Sequence, residues 1–165
     1  MARDTLKALA RRVGAQLKKR RLKLATAESC TGGWISQAAT SVSGSSAWFD
    51  RGFVTYSDEA KQELLGVRAR TLSRHGAVSR ETAKEMAAGA LARSRAQVSV
   101  AVTGIAGPGG GTQAKPVGTV CFAWARRRGA MESVTRRFLG GRERVRRQSV
   151  AFALQGLLER LEETE

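Results

Sequence analysis

The chain alternates between segments whose apolar residues recur at helical spacing and short segments rich in β-branched residues. A helix over about residues 5–19 is predicted by apolar residues three or four positions apart, namely Leu6, Leu9, Val13 and Leu17. A helix over about residues 143–161 is predicted in the same way by Val150, Leu154, Leu157, Leu158 and Leu161. One amphipathic helix is therefore expected near each end of the chain.

Between these two helices the pattern predicts five strands and four further helices. The strands are expected at about residues 22–27, 49–56, 97–103, 117–126 and 132–139. The helices are expected at about residues 34–41, 58–65 and 69–74, and from the capping Ser79 to about Arg95. Alternating elements with a hairpin through residues 127–129 indicate the α/β class, as a single three-layer α/β/α domain with a mixed sheet.

The length of the chain limits how it can be organised. A chain of 165 residues has the size of one ordinary domain, and we expect residues 1–165 to form it. No apolar run approaches the ~18 residues that a membrane helix needs, so no membrane partner is expected. The first twenty residues mix charged and spaced apolar residues and do not form a leader with an apolar core. The expected location is the cytoplasm.

Cysteine and histidine are scarce, which narrows the possible chemistry. Cys30 and Cys121 are too few for a disulfide framework or a metal cage, and His75 is the only histidine. We therefore expect neither a metal nor another cofactor. Because only His75 could supply a histidine base, a hydrolase built from this chain is expected to use lysine, tyrosine or a carboxylate instead.

The formal net charge of +15 suits a nucleic acid, an anionic lipid or a phosphorylated metabolite. The basic residues are spread over the whole chain, and dense arginine groups lie at 126–128, 136–137 and 142–147. No nucleic-acid-binding module is recognised, and 5% aromatic residues leave few surfaces on which bases could stack. Solvated arginines are the simpler interpretation, and a nucleic-acid partner is not expected.

Two small, polar, glycine-rich segments follow predicted strands, where α/β sheets usually bind ligands. At residues 26–33, backbone N–H groups could stabilise an oxyanion, although helix capping and tight packing explain the same pattern. At residues 103–112, main-chain donors could surround a phosphate or a ribose, although a surface loop has the same composition. The second segment is not a Walker A motif, because no Lys-Ser/Thr pair follows its glycines, and it is not a dinucleotide-binding motif, because a strand and not a helix is expected next.

Tyr56 and Lys61 lie between these two segments. Tyr56 is at a predicted strand end and Lys61 is in the first turn of the next helix, so both could face the same sheet edge as Ser29. A lysine that acts as a base must be neutral near pH 7, which requires burial or neighbouring cations. From the local pattern alone, a solvated helix lysine is the simpler interpretation.

At these same residues the sequence resembles the C-terminal domain of the competence/damage-inducible protein CinA, and its free-standing members in particular. The resemblance runs nearly end to end through five motifs in order: TAESCTGGW at 26–34, GSSAWFDRGFVTYSDEAK at 44–61, HGAVS at 75–79, TGIAGPGGG at 103–111 and KPVGTV at 115–120. Several long motifs in the right order are far more specific than one glycine loop. The resemblance implies a single α/β/α domain.

The resemblance also implies a metal-free amidase that converts nicotinamide mononucleotide and water into nicotinate mononucleotide and ammonia. It implies that Ser29 is the nucleophile and that Lys61 and Tyr56 assist it. It further implies a substrate pocket lined by Thr31, Gly32, Gly33, Ser46, Thr103, Gly104 and Gly107. No residue clearly matches a phosphate-clamping arginine, and Arg142 or one of its neighbours is our hypothesis. We also expect a homo-oligomer, in the simplest case a dimer.

Two alternatives remain at this point. Cys30 could replace Ser29 as the nucleophile, since a thiol at a helix N-terminus is expected to have a lowered pKa. In a different functional class, the glycine loops could hold a nucleotide without chemistry while the basic surface recruits nucleic acid. A pure binding module has no need for a serine, a tyrosine and a lysine at adjacent strand ends, and ammonia release from nicotinamide mononucleotide would separate the two classes.

Overall fold

The computed structural model describes residues 2–163, which form six α-helices and five strands. The helices are α1 Ala2–Lys19, α2 Trp34–Thr40, α3 Asp58–Leu65, α4 Ala69–His75, α5 Arg80–Ala92 and α6 Arg142–Glu162. The strands are β1 Leu24–Glu28, β2 Phe49–Val54, β3 Val98–Gly104, β4 Thr119–Arg126 and β5 Met131–Arg137. None of the described helices has the length and apolar content needed to cross a bilayer.

The five strands form one mixed sheet in the order β2-β1-β3-β4-β5. Strand β1 is parallel to both of its neighbours, β2 and β3, whereas β4 is antiparallel to β3 and to β5. The carboxyl ends of β1, β2 and β3 therefore meet at one edge of the sheet. The predicted α/β class and mixed sheet are confirmed.

Helices cover both faces of the sheet, and the side chains of β1 alternate between two cores. Leu24 packs in a core with side chains from α1, α2 and α6, whereas Ala25 and Ala27 pack in a second core with side chains from α3 and α5. Cys30 belongs to the first core. Because successive strand side chains point to opposite faces, Ser29 is directed towards α3 while its neighbour Cys30 is directed towards α6. The three-layer prediction is confirmed.

The predicted boundaries differ from the structure by a few residues at turns. Strand β1 begins at Leu24 and not at 22, because Arg21 has a φ of 57° and Leu22 N–H donates to Leu17 O at 2.9 Å. Helix α5 ends at Ala92 and not at 95, because residues 93–96 form a turn whose carbonyls accept from Arg127. These ends depend on contacts between segments, which the local pattern does not contain.

A close contact between α5 and α3 is expected to limit substitution at Gly89. A Cβ added there would lie 1.9 Å from Leu65 O, a backbone atom at the end of the helix that carries Lys61. The overlap outweighs the roughly 1 kcal/mol that alanine gains over glycine within a helix. We expect Gly89→Ala to lower the free energy of unfolding by about 1–3 kcal/mol in denaturant titrations. Gly109→Ala, whose Cβ would meet nothing within 4 Å, is the control, and an equal loss there would contradict this explanation.

Candidate active site

Two parallel strands place the predicted site residues at the same sheet edge. Ser29 directly follows β1, and Tyr56 lies two residues after β2, which pairs with β1 in parallel. Ser29 N–H donates to Val102 O of β3 at 3.0 Å, and Thr55 N–H donates to Glu28 O at 2.8 Å. These bonds extend the sheet past the strand ends and hold Ser29 beside the start of α3.

The side chains of Ser29 and Lys61 meet in a buried position. Lys61 Nζ lies 2.9 Å from Ser29 Oγ, 2.9 Å from Thr55 O and 3.0 Å from Tyr56 O. Only 1% of Lys61 and 6% of Ser29 are exposed to solvent. The interpretation of Lys61 as a solvated helix residue is therefore wrong. The lysine is buried and lies beside Ser29.

The surroundings of Lys61 suit a neutral amine. Burial lowers the pKa of Lys61 below its ordinary value of 10.5, although the negative charge of Asp58 acts in the opposite direction. Lys61 forms no salt bridge with any side chain of residues 5–163. A neutral amine has two N–H groups for the carbonyls of Thr55 and Tyr56, and one lone pair that can accept the Ser29 hydroxyl proton. This geometry can activate a serine.

Tyr56 joins the site differently from the other two residues. Its main-chain carbonyl accepts from Lys61, whereas its side chain is 64% exposed. The phenol oxygen accepts from Nη2 of Arg142 at 3.3 Å, and Nη1 of the same arginine donates to Gly107 O at 2.8 Å. Arg142 thus links Tyr56 to the second glycine-rich segment. The assisting role of the phenol stays a prediction.

Glu28 supports the turn that carries Ser29, and the sequence analysis missed it. Its carboxylate is fully buried and accepts four hydrogen bonds at 2.7–3.0 Å, from the hydroxyl groups of Thr31 and Ser36 and from the backbone N–H groups of Ile35 and Ser36. These bonds tie the end of β1 to the start of α2. The sequence signal was a lone glutamate directly after the small residues Ala25, Thr26 and Ala27.

The prediction of a lowered pKa for Cys30 is wrong. Burial raises the pKa of the Cys30 thiol to about 12, and the positive charge of Arg146 offsets this only in part. The side chain lies in the core beneath α6, on the face of the sheet opposite to Lys61. Because the thiolate is the nucleophilic form, this environment gives Cys30 little reactivity near neutral pH.

The pocket residues predicted in the first glycine-rich segment, at residues 26–33, have different environments. Gly32 and Gly33 have φ values of 59° and 99°, which favour glycine, and they border the turn at Ser29. Thr31 is buried, and its hydroxyl donates to Glu28 Oε1 at 2.7 Å. The Thr31 hydroxyl is therefore occupied by Glu28, and a ligand could contact this turn only through its backbone.

The second glycine-rich segment reaches the site only in part. Gly107 contacts Arg142 through its carbonyl, as described above. The Thr103 hydroxyl donates to Ala77 O at 2.8 Å, and a Cβ at Gly104 would lie 2.7 Å from Val120 Cγ2. Thr103 and Gly104 therefore shape the packing at the end of β3, and their contact with a substrate stays a prediction.

Ser46 is not brought to Ser29 within one chain. It is exposed in a 3-10 turn, Ser45–Ala47, which precedes β2. Because β2 is parallel to β1, the residues before β2 lie at the sheet edge opposite to Ser29. Trp48 O confirms this placement, since it accepts from Leu24 N–H at the start of β1. A role for Ser46 in the pocket and the homo-oligomer both stay predictions.

Arg146 contacts the turn after Ser29 (residues 29–33), and the local sequence pattern did not predict this contact. Its Nε donates to Cys30 O at 3.0 Å and its Nη2 donates to Thr31 O at 3.3 Å. Its guanidinium also lies 5.5 Å from the centre of the Trp34 ring. The sequence signal was the dense arginine group at 142–147. No cluster of three or more His, Cys, Asp or Glu side chains, among the side chains described for residues 5–163, is placed to hold a metal ion.

Comparisons with known proteins agree with this architecture. The family model described as the CinA C-terminal domain matches residues 6–161. The nicotinamide-nucleotide amidohydrolase PncC of Escherichia coli (strain K12) is 55% identical over 159 residues, which cover 95% of each chain. The protein of the same name from Pseudomonas putida is 50% identical over 156 residues, covering 94% of this chain and 97% of that protein.

Solved structures show the same fold. The competence/damage inducible protein CihA from Agrobacterium tumefaciens is 50% identical, with a TM-score of 0.93 over 96% of each chain. The competence or damage-inducible protein from Enterobacter asburiae is 42% identical, with a TM-score of 0.91 over 94% of this chain and 98% of the other.

Proposed function

Because the chain belongs to the CinA C-terminal domain family, we propose that it is a nicotinamide-nucleotide amidohydrolase, which converts nicotinamide mononucleotide and water into nicotinate mononucleotide and ammonia. The observation that carries the proposal is the buried pair of Ser29 Oγ and Lys61 Nζ at 2.9 Å. The identity of the substrate is taken from relatives that are at least 50% identical to this chain and are named for this activity.

In the first half of the reaction, Ser29 forms an acyl-enzyme. Neutral Lys61 accepts the hydroxyl proton while Ser29 Oγ bonds to the carboxamide carbon of the substrate. The carbonyl oxygen becomes an oxyanion, which backbone N–H groups of the turn after Ser29 stabilise. The protonated Lys61 then gives its proton to the carboxamide nitrogen. The C–N bond breaks, ammonia leaves, and an ester joins Ser29 to the nicotinoyl group.

In the second half, water hydrolyses the ester. Lys61 is neutral again and removes a proton from water as the water oxygen bonds to the ester carbon. The bond to Ser29 Oγ breaks, and the proton on Lys61 returns to that oxygen. The product carboxylic acid gives its remaining proton to solvent and leaves as the carboxylate. We place the Tyr56 phenol at the open side of the site, where it can donate a hydrogen bond to the leaving group or to the attacking water.

The substrate assay tests the proposal directly. We expect the purified protein to release ammonia readily from nicotinamide mononucleotide, more slowly from nicotinamide riboside and least from nicotinamide. A non-catalytic nucleotide- or nucleic-acid-binding module, the alternative function, would release ammonia from none of them. Binding of nicotinamide mononucleotide without ammonia release would therefore favour the alternative.

Arg142 is the proposed contact of the 5′-phosphate, because it lies between the Tyr56 hydroxyl and the glycine-rich segment. A charge-assisted contact with a phosphate contributes about 1.5–3 kcal/mol. We expect Arg142→Ala to lower kcat/KM for nicotinamide mononucleotide about 10- to 100-fold, and to change that for nicotinamide riboside much less. Arg144→Ala, an exposed arginine of the same helical turn, is the control. Equal losses for both substrates would rule out a phosphate contact.

A further inference from the structure

Arg146 contacts the backbone of the turn after Ser29 (residues 29–33) from the face of the sheet opposite to Lys61. Its Nε and Nη2 donate to two consecutive carbonyls, those of Cys30 and Thr31, at 3.0 and 3.3 Å. The Trp34 ring lies 5.5 Å from the guanidinium and limits its movement. The two donors of one planar guanidinium therefore fix the orientation of two successive peptide groups.

The orientation of the first peptide group determines where Thr31 N–H points. The C=O and N–H of a trans peptide point in opposite directions, and Cys30 O shares its peptide plane with Thr31 N–H. Cys30 O points to Arg146 on α6, so Thr31 N–H points towards the other face, where Ser29 Oγ and Lys61 lie. Thr31 N–H donates to no backbone acceptor of residues 2–163 and to no side-chain acceptor of residues 5–163. A donor without an acceptor is thus available beside the nucleophile.

We propose that Arg146 is a positioning residue that aims Thr31 N–H at the oxyanion formed when Ser29 attacks the substrate. The inference rests on the proposed role of Ser29 as the nucleophile. Arg146 does not touch the substrate. It holds the carbonyl side of the peptide group while the N–H side is free to donate to the developing negative charge. Because the donor is fixed before the reaction starts, the turn needs no rearrangement in the transition state.

The test compares Arg146 with its neighbour on the same helix. Arg147 also lies over the Trp34 ring, at 5.4 Å, but it pairs with Glu143 and touches neither carbonyl. Arg146→Ala is expected to lower kcat by about 10- to 100-fold, less than the 10²–10³-fold loss of a whole oxyanion donor, and to leave KM within about threefold. Arg147→Ala should retain the wild-type kcat. Arg146→Lys, which can reach one carbonyl but not both, should fall between Arg146→Ala and the wild type.

The kcat and KM of Arg146→Ala with two substrates distinguish a positioning role of Arg146 from a role in binding the phosphate. A positioning role predicts the same fractional loss of kcat with nicotinamide mononucleotide and with nicotinamide riboside, since both have the same carboxamide. A higher KM for the mononucleotide alone, with kcat unchanged, would show that Arg146 binds the phosphate and would overturn the proposal. An equal loss of kcat in Arg147→Ala would also overturn it, because general packing of α6 would then explain both results.

A second readout does not depend on the substrate. A fluorophosphonate probe reacts with an activated serine through an oxyanion-like state, so its labelling rate at Ser29 reports the same donor. We expect Arg146→Ala to be labelled about 10- to 100-fold more slowly than the wild type, with a folded state confirmed by thermal denaturation. Equal labelling rates, or no labelling of wild-type Ser29, would overturn the proposal. Labelling without ammonia release by the wild type would refute the proposed substrate alone, and the labelling ratio would still decide the role of Arg146.

Discussion

Ser29→Ala is expected to abolish ammonia release while leaving the fold intact. No other side chain lies within hydrogen-bonding distance of Lys61 Nζ among the described residues, so no group can replace the Ser29 hydroxyl as the nucleophile. Loss of the serine nucleophile lowers kcat by about 10⁶-fold in a serine protease, and we expect a loss of about 10⁴-fold or more here. The measurement is a steady-state assay of ammonia, with circular dichroism and thermal denaturation to verify folding.

Cys30→Ala is the matched control for this prediction. The Cys30 thiol has a pKa raised to about 12 and lies in the core beneath α6, so we expect it to take no part in the reaction. We expect Cys30→Ala to keep kcat within about tenfold of the wild type and to lose some stability through the smaller side chain. If Cys30→Ala were inactive and Ser29→Ala active, the nucleophile would be the cysteine.

Lys61→Arg is expected to be nearly as inactive as Lys61→Ala. Arginine keeps a positive charge but does not lose a proton near neutral pH, so it cannot accept the Ser29 hydroxyl proton. Removal of a general base lowers the rate by about 10²–10⁴-fold. Single-turnover measurements with nicotinamide mononucleotide, together with a binding assay, would show loss of chemistry with binding retained. A Lys61→Arg protein with much of the wild-type rate would show that the residue acts through its charge alone.

The pH dependence follows from the same residue. Lys61 is active when neutral, so the wild-type kcat should rise with pH through the lowered pKa of Lys61 and level off above it. Burial also affects stability. Between the lowered pKa of Lys61 and the ordinary lysine value of 10.5, the folded protein binds fewer protons than the unfolded chain. Stability should therefore rise with pH in that range. Lys61→Met, which keeps the buried aliphatic chain, should lack this rise, and an unchanged slope would contradict the burial of a neutral amine.

Local patterns were sufficient to predict the elements of this fold. The spacing of Leu6, Leu9, Val13 and Leu17 predicted α1, and the alternation of β-branched segments with helices predicted the mixed sheet. Periodicity works here because each element buries one face against the sheet, and burial of a face leaves a repeat in the sequence. Element ends were less accurate, because the turns after α1 and α5 depend on bonds to other segments.

The sequence by itself also determined the family and the candidate residues, since the motifs around Ser29, Tyr56 and Lys61 are long and occur in order. Only the tertiary structure decided the contacts, the burial and the pKa shifts of these residues. Folding buries Lys61 against Ser29, 32 positions away, and places the Tyr56 phenol beside Arg142. It also raises the pKa of Cys30 by burial and brings Arg146 to the carbonyl of Cys30, 116 positions away. Burial and charge at a site are produced by segments distant in the sequence, so no local pattern contains the pKa of a lysine or the direction of a peptide group.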